Sequence, residues 1–162
     1  MLLLPRPVLF PVQPLSAIYD KRTFRSSESF GAHIGRLRKV LIEKLDQELE
    51  ALGISTAQSI VVVMLAEEVA LTASDMCRGL SHDPGAMTRL VDKLESKGLV
   101  RRVRTEDDRR SARLALTAKG RSLYPKIAEA QVNVFNRILH GFSRSEVGEL
   151  ESFLKRMLAN AG

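Results

Sequence analysis

Between Leu71 and Gly120 the spacing of apolar residues changes midway, from every third or fourth position to every second. A helical signature followed this closely by a strand signature demands helix, turn, helix and hairpin within about fifty residues. Thr72 is a candidate N-cap, with Asp75 in the positively polarised first turn of a short helix ending at Leu80. Asp83-Pro84 then marks a second start, Asp at the N-cap and Pro at the first helical position. Met87, Leu90, Val91 and Leu94 form an apolar stripe, and Gly98 closes the helix. The segments VRRVR and SARLALT alternate as strands do, and the residues between them, Thr105 to Arg110, are too charged for a core. The predicted fold class is mainly α with a small β-wing: a winged helix-turn-helix joined to further helices.

Gly85, Thr88, Arg89 and Lys93 lie off the apolar stripe of the second helix. A helix that reads the major groove needs this division, one face in the core and its N-terminal turns offering donors to base edges. Arg89 is suited to guanine O6 and N7, with Thr88 beside it. Arg110 at the loop tip is suited to the minor groove, Asp108 can orient it, and Arg109 can take backbone phosphate. Arg78 and Lys93 are further phosphate candidates, although solvation alone also explains Lys93. The charge is placed accordingly. Twelve Lys/Arg against six Asp/Glu fall between Arg78 and Arg121, and thirteen against thirteen elsewhere, so the whole net charge of +6 lies in this unit. Such confinement favours contact with phosphates over a merely solvated surface.

The segment LSHDPGAMTRLVDKLESKGLV followed by DDRRSARLALTAKG resembles the MarR family of bacterial transcriptional regulators. The family's wing pattern, D-R-R, a spacer, then L-T-x-x-G, stands here as Asp108-Arg109-Arg110 and Leu116-Thr117-Ala118-Lys119-Gly120. The resemblance extends over roughly residues 29 to 159. It implies a homodimer that binds a palindromic double-stranded DNA operator, acting as a repressor or activator. It also implies release by a small anionic or aromatic effector, salicylate-like acids being the family-level guess, in a pocket lined by the first and second helices and the start of the fifth. His33 is a candidate effector contact, or a histidine near the dimer interface.

The remainder of the chain reads as support for this unit. Residues 1–28 form an arm and linker. Pro5, Pro7, Pro11 and Pro14 break any signal-peptide core, and the segment is either a disordered leader or an arm seated on a dimer partner through Leu9, Phe10 and Val12. Asp20 to Ser29 is polar and reads as linker. Phe30, Ile34, Leu37, Leu41, Leu45, Leu49 and Leu52 line a long helix ending at Gly53. Ser55 or Thr56 caps the next helix, whose run from Ile60 to Leu65 is apolar on every side and is expected to be buried all round. Thr117 starts a helix interrupted at Pro125 and broken by Gly141. Ser143 and Glu146 form a capping box for the last helix, striped by Val147, Leu150, Leu154, Met157 and Leu158. Residues 29–54 and 121–162 are thus read as a helical dimerisation region, and 55–120 as the DNA-binding unit.

An enzyme is not expected, since the phosphate-loop, dinucleotide, nucleophile-elbow and HExxH motifs are all missing from the sequence. His33, His82 and His140 are far apart and suggest no metal, and no cofactor is expected. His82 reads as a backbone- or phosphate-facing residue of the turn. The single cysteine, Cys77, reads as a small buried thiol and excludes a disulfide framework, which fits a cytoplasmic protein. Met64, Met76, Met87 and Met157 read as core. A winged-helix module that binds only protein is the competing reading.

Overall fold

The computed structural model describes residues 17–69, 72–80, 83–103 and 113–161. Six α-helices and one hairpin follow in order: α1 (Phe30–Leu49), α2 (Thr56–Ala66), α3 (Ala73–Leu80), α4 (Pro84–Ser96), β1 (Val100–Val103), β2 (Arg113–Leu116), α5 (Ala118–Ile138) and α6 (Arg144–Ala161). The chain forms two compact units that divide inside α1, after Arg38.

In the first unit, Tyr19, Phe24 and Phe30 cluster, with Tyr19 edge-on to Phe24 and stacked on Phe30. The Phe30 N–H donates to the Tyr19 hydroxyl at 3.1 Å. A 3-10 turn, Ser26–Glu28, leads to Ser29, which is buried and caps α1 by accepting from the Ala32 N–H. The stretch expected to be a plain linker therefore has local structure, held by contacts among three aromatic rings that each stay about half exposed.

In the second unit the ends of elements follow their local chemistry. Gly53 adopts φ 67° after a 3-10 turn, Glu50–Leu52, that finishes the first helix. Of the two cap candidates, Ser55 takes the role, in a reciprocal box with Gln58. Thr56 instead gives its backbone N–H to Asp46 Oδ1 at 2.6 Å, which ties α2 to α1. α2 packs against α4, α5 and β2. Its core residues are Val61, Val62 and Leu65, while Ile60, Val63 and Met64 are only half-buried. The expected burial all round is thus not reached, although Val63 and Met64 still pack against the core from the half-buried side.

α5 runs continuously through Pro125, with Ile127, Ala130 and Val134 in the core. Val132 and Phe135, on the same helix, are exposed. Gly141, at φ 90°, separates α5 from α6, and Ser143 and Glu146 form the expected capping box. No residue of α6 is buried. Met157 is 39% exposed and so is not a core residue of this chain, unlike Met76 and Met87, which are fully enclosed; Met64 and Cys77 pack half-buried against the core. No single helix among the described residues is long and apolar enough to cross a membrane.

Candidate nucleic-acid interface

The candidate interface is built from α3, α4 and the hairpin. Thr72 caps α3: its hydroxyl accepts from the Asp75 N–H at 3.1 Å and donates to Asp75 Oδ2 at 2.6 Å. The Thr72 hydroxyl, and after it the Arg78 guanidinium, hold the Asp75 carboxyl below its ordinary pKa. Arg78 is therefore partly neutralised by an ion pair within its own helix. Met76, between them, is fully buried and anchors α3 to α4.

Asp83 caps α4 with both carboxylate oxygens, Oδ1 accepting from the Gly85 N–H at 3.0 Å and Oδ2 from the Ala86 N–H at 2.8 Å. Met87, Val91 and Leu94 fix the inner face of the helix. Gly85, Arg89 and Lys93, spaced by four, share the outer face with Thr88, and all four are exposed. The Thr88 hydroxyl donates to the Pro84 carbonyl at 2.9 Å, which leaves its oxygen able to accept a further hydrogen bond. Arg89 Nη2 stands 4.0 Å from Asp83 Oδ2, and 73% of its side chain is accessible. A guanidinium so placed is steered by the capping carboxylate yet remains free to leave it.

α4 ends in a Schellman motif: Gly98, at φ 67°, donates to the Glu95 carbonyl, and Leu99 donates to the Leu94 carbonyl. The antiparallel hairpin pairs Val100 with Leu116 and Val103 with Arg113. Arg102 was not singled out in the sequence, yet it braces the whole arrangement. From β1 it reaches back to Asp92 at 2.7 Å and to Glu95, both on α4, and its backbone N–H donates to Glu95 Oε1 at 2.9 Å. These carboxylates, Asp92 first, raise the guanidinium pKa further. Strand alternation alone did place Arg102 opposite Arg101, the only available signal for a distinct role.

The L-T-x-x-G segment joins the hairpin to α5. The Thr117 hydroxyl donates to the Gly98 carbonyl at 2.6 Å and accepts from the Gly120 N–H at 3.1 Å, while the Thr117 N–H donates to the Leu99 carbonyl at 3.0 Å. Gly120 sits so close that an added Cβ would lie 2.1 Å from the Leu99 oxygen. Thr117 and Gly120 thus fasten the end of α4 to the start of α5.

The structure brings Gly85, Thr88, Arg89 and Lys93 together on one face and leaves Arg78 paired on α3. Asp108, Arg109 and Arg110, like His82, lie outside the described residues. His33 is exposed, and its Nδ1 lies 2.8 Å from the Ser29 carbonyl oxygen, so that nitrogen carries the hydrogen. Among the described residues no three of His, Cys, Asp and Glu gather as a metal site.

The sequence model of the MarR family matches residues 52–111, which take in α2, the helix-turn-helix and β1 and end before β2. The solved transcriptional regulator PA3341 is 32% identical and superposes with a TM-score of 0.74, covering 82% of this chain and 98% of that one. The chain belongs to the MarR family. Transcriptional repressor MprA of Escherichia coli is 26% identical over 125 residues, 76% of this chain and 71% of its own. A variant of E. coli MarR, solved in complex with operator DNA, is 28% identical with a TM-score of 0.72, covering 79% of this chain and 92% of that one. Members of the MarR family are transcription regulators, and the protein is therefore a regulator rather than an enzyme.

Proposed function

We propose that this MarR-family protein binds a palindromic double-stranded DNA operator as a homodimer, represses transcription there, and is released by a small anionic effector. The observation that carries the reading is the outer face of α4, where Gly85, Thr88 and Arg89 stand exposed beside a helix N-terminus. Arg89 reads guanine, Thr88 contacts a neighbouring base, and Lys93 and Arg78 meet phosphates. Arg110 enters the minor groove, oriented by Asp108, with Arg109 on the backbone. The operator bound by the E. coli MarR variant and the repressor role of MprA support the assignment. In this reading residues 55–120 form the DNA-binding unit, 29–54 and 121–162 the dimerisation region, and 1–28 an arm; the protein works in the cytoplasm. The exposed apolar residues of α6 supply the motive for pairing. A two-fold then sets two copies of α4 one DNA turn apart, roughly 34 Å. His33 is an effector contact at most.

Fluorescence anisotropy on DNA from the region upstream of the protein's own reading frame, across salt and against scrambled competitor, tests the reading. Specific binding with a steep salt slope is expected. Arg89→Ala then costs about 1–3 kcal/mol and relaxes preference at one base position, and Arg110→Ala lowers both affinity and slope. Equal weak binding to all DNA, including a pool of random sequences, would leave a protein-binding winged helix instead.

A further inference from the structure

Outside the DNA-binding unit, the balance of thirteen basic against thirteen acidic residues is divided unevenly along the chain. The first compact unit, Met1–Arg38, carries six Lys/Arg and two Asp/Glu, whereas residues 39–77 carry two and seven. The same unit holds four of the chain's eight aromatic residues, Phe10, Tyr19, Phe24 and Phe30. Its described part shows how charge and rings are combined. Asp20 closes a tight turn, its carbonyl accepting from the Phe24 N–H at 2.8 Å and its Oδ1 from the Arg22 N–H at 2.8 Å. Phe24 then stands edge-on to Tyr19 with ring centroids 5.1 Å apart. Both rings stay close to half exposed, and Ile18 beside them is 91% exposed. Arg22 is paired with Asp20, while Lys21 and Arg25 are exposed and meet no carboxylate among the described residues. Cations and open rings thus alternate from Tyr19 to Arg25, on a turn already closed by its own hydrogen bonds. In sequence the apolar character extends further: of residues 1–18 only Arg6 is charged, although 1–16 lie outside the described residues.

We infer that this first unit docks on an anionic bilayer surface, with Ile18, Tyr19 and Phe24 in the headgroup region and Lys21 and Arg25 against lipid phosphates. The warrant is complementarity. Amphipathic rings favour the boundary between water and hydrocarbon. Lys and Arg are drawn to the negative potential of an anionic leaflet. An apolar segment joined to a cationic cluster supplies the two signals that hold a protein on such a surface without crossing it. A DNA backbone meets the cations but leaves Ile18, Leu9 and Phe10 in water, whereas the lipid interface takes both kinds of group. The inference goes beyond the proposed function and does not rest on it, since α4 and the hairpin have no part in the contact.

The test is co-sedimentation of the full chain with vesicles of equal parts phosphatidylglycerol and phosphatidylcholine, beside vesicles of phosphatidylcholine alone. Binding to the anionic vesicles is expected, weaker by about tenfold or more on the neutral ones and falling as salt is raised. Lys21→Gln/Arg25→Gln is expected to lower anionic binding by about tenfold and to leave operator affinity unchanged. Phe10→Ser/Ile18→Ser is expected to weaken binding several-fold at every salt concentration, and melting temperatures check that both variants fold. The basic DNA-reading face is controlled for by Arg89→Ala/Arg110→Ala, which is expected to sediment with vesicles as the parent does. Equal binding to both kinds of vesicle, or indifference to the Lys21 and Arg25 substitutions, overturns the surface. So does loss of vesicle binding in the Arg89 and Arg110 variant, which would assign the adsorption to the DNA-reading face. A Lys21 and Arg25 variant that loses operator affinity but keeps its vesicle binding would make these residues nucleic-acid contacts instead. A Phe10 and Ile18 variant that sediments as a monomer with vesicle binding intact would give the apolar segment to a second copy of the chain.

Discussion

Gly120 is the residue whose identity the backbone dictates most strictly. Its missing side chain lets the start of α5 close on Leu99, where an added Cβ would meet a backbone oxygen and carbon that cannot swing aside. Gly120→Ala is expected to lower stability by about 1–3 kcal/mol, read as a shift in the urea midpoint at constant slope. An unchanged midpoint would mean the α4–α5 joint has slack. Glu68 is the opposite case. It sits at φ 56°, just past the end of α2, at a position where glycine is the usual occupant. Val69 completes the motif by donating to the Met64 carbonyl at 2.9 Å. Glu68→Gly is expected to raise stability by roughly 0.5–1 kcal/mol, because relief of left-handed strain exceeds the entropy that glycine adds to the unfolded chain. The two positions differ in legibility. Gly120 belongs to a recognisable pattern, but its reason, the approach of Leu99, depends on a contact across the hairpin. Nothing beside Glu68 marks it as left-handed.

At the scale of elements, helix ends were the most readable features, since caps are made by neighbours in sequence. Asp83-Pro84, Gly98, Thr117 and the Ser143–Glu146 pair all serve as their spacing predicts. What could not be read is how one element grips another. Arg102 on Asp92 and Glu95, Tyr124 on Glu67 and Arg137 on Glu48 join residues distant in sequence, and no periodicity encodes such pairs. The wing tip was legible only as a motif. Several of the carboxylates at caps and braces titrate low: Glu48 through its bond to Arg137, Asp75 through Thr72, and Glu146 through the Ser143 backbone. Their folded-state pKa values lie below the ordinary 4.5 of glutamate and 3.8 of aspartate, so their stabilisation is complete above those values and is lost as pH falls through the lower folded ones. The melting temperature is expected to be level through neutral pH and to decline in acid, and Glu48→Gln/Glu146→Gln should flatten that decline. Tyr124 works in the other direction. Its hydrogen bond to Glu67 raises the phenol pKa, so that contribution persists below 10.0 and fades as pH rises past it.

For the whole molecule, the pattern of exposure matters more than the pattern of burial. Leu150, Phe153, Leu154, Met157 and Leu158 keep about two-fifths or more of their surface in water, a costly state unless another surface covers them. Sedimentation equilibrium is expected to give a dimer, and Leu154→Glu/Leu158→Glu a folded monomer with much weaker operator binding; a monomeric parent protein would remove α6 from the assembly. The rigid joint made by Thr117 and Gly120 has a mechanical consequence. Because α4 is fastened to one end of a helix of 21 residues, α5 is a lever about 31 Å long with a reading head at its tip. A tilt of about 5° at the far end then moves that tip by about 3 Å. The rise between neighbouring base pairs is roughly 3.4 Å, so in the proposed dimer a small change in how two such levers cross would put the paired heads out of step with the double helix by almost one rung.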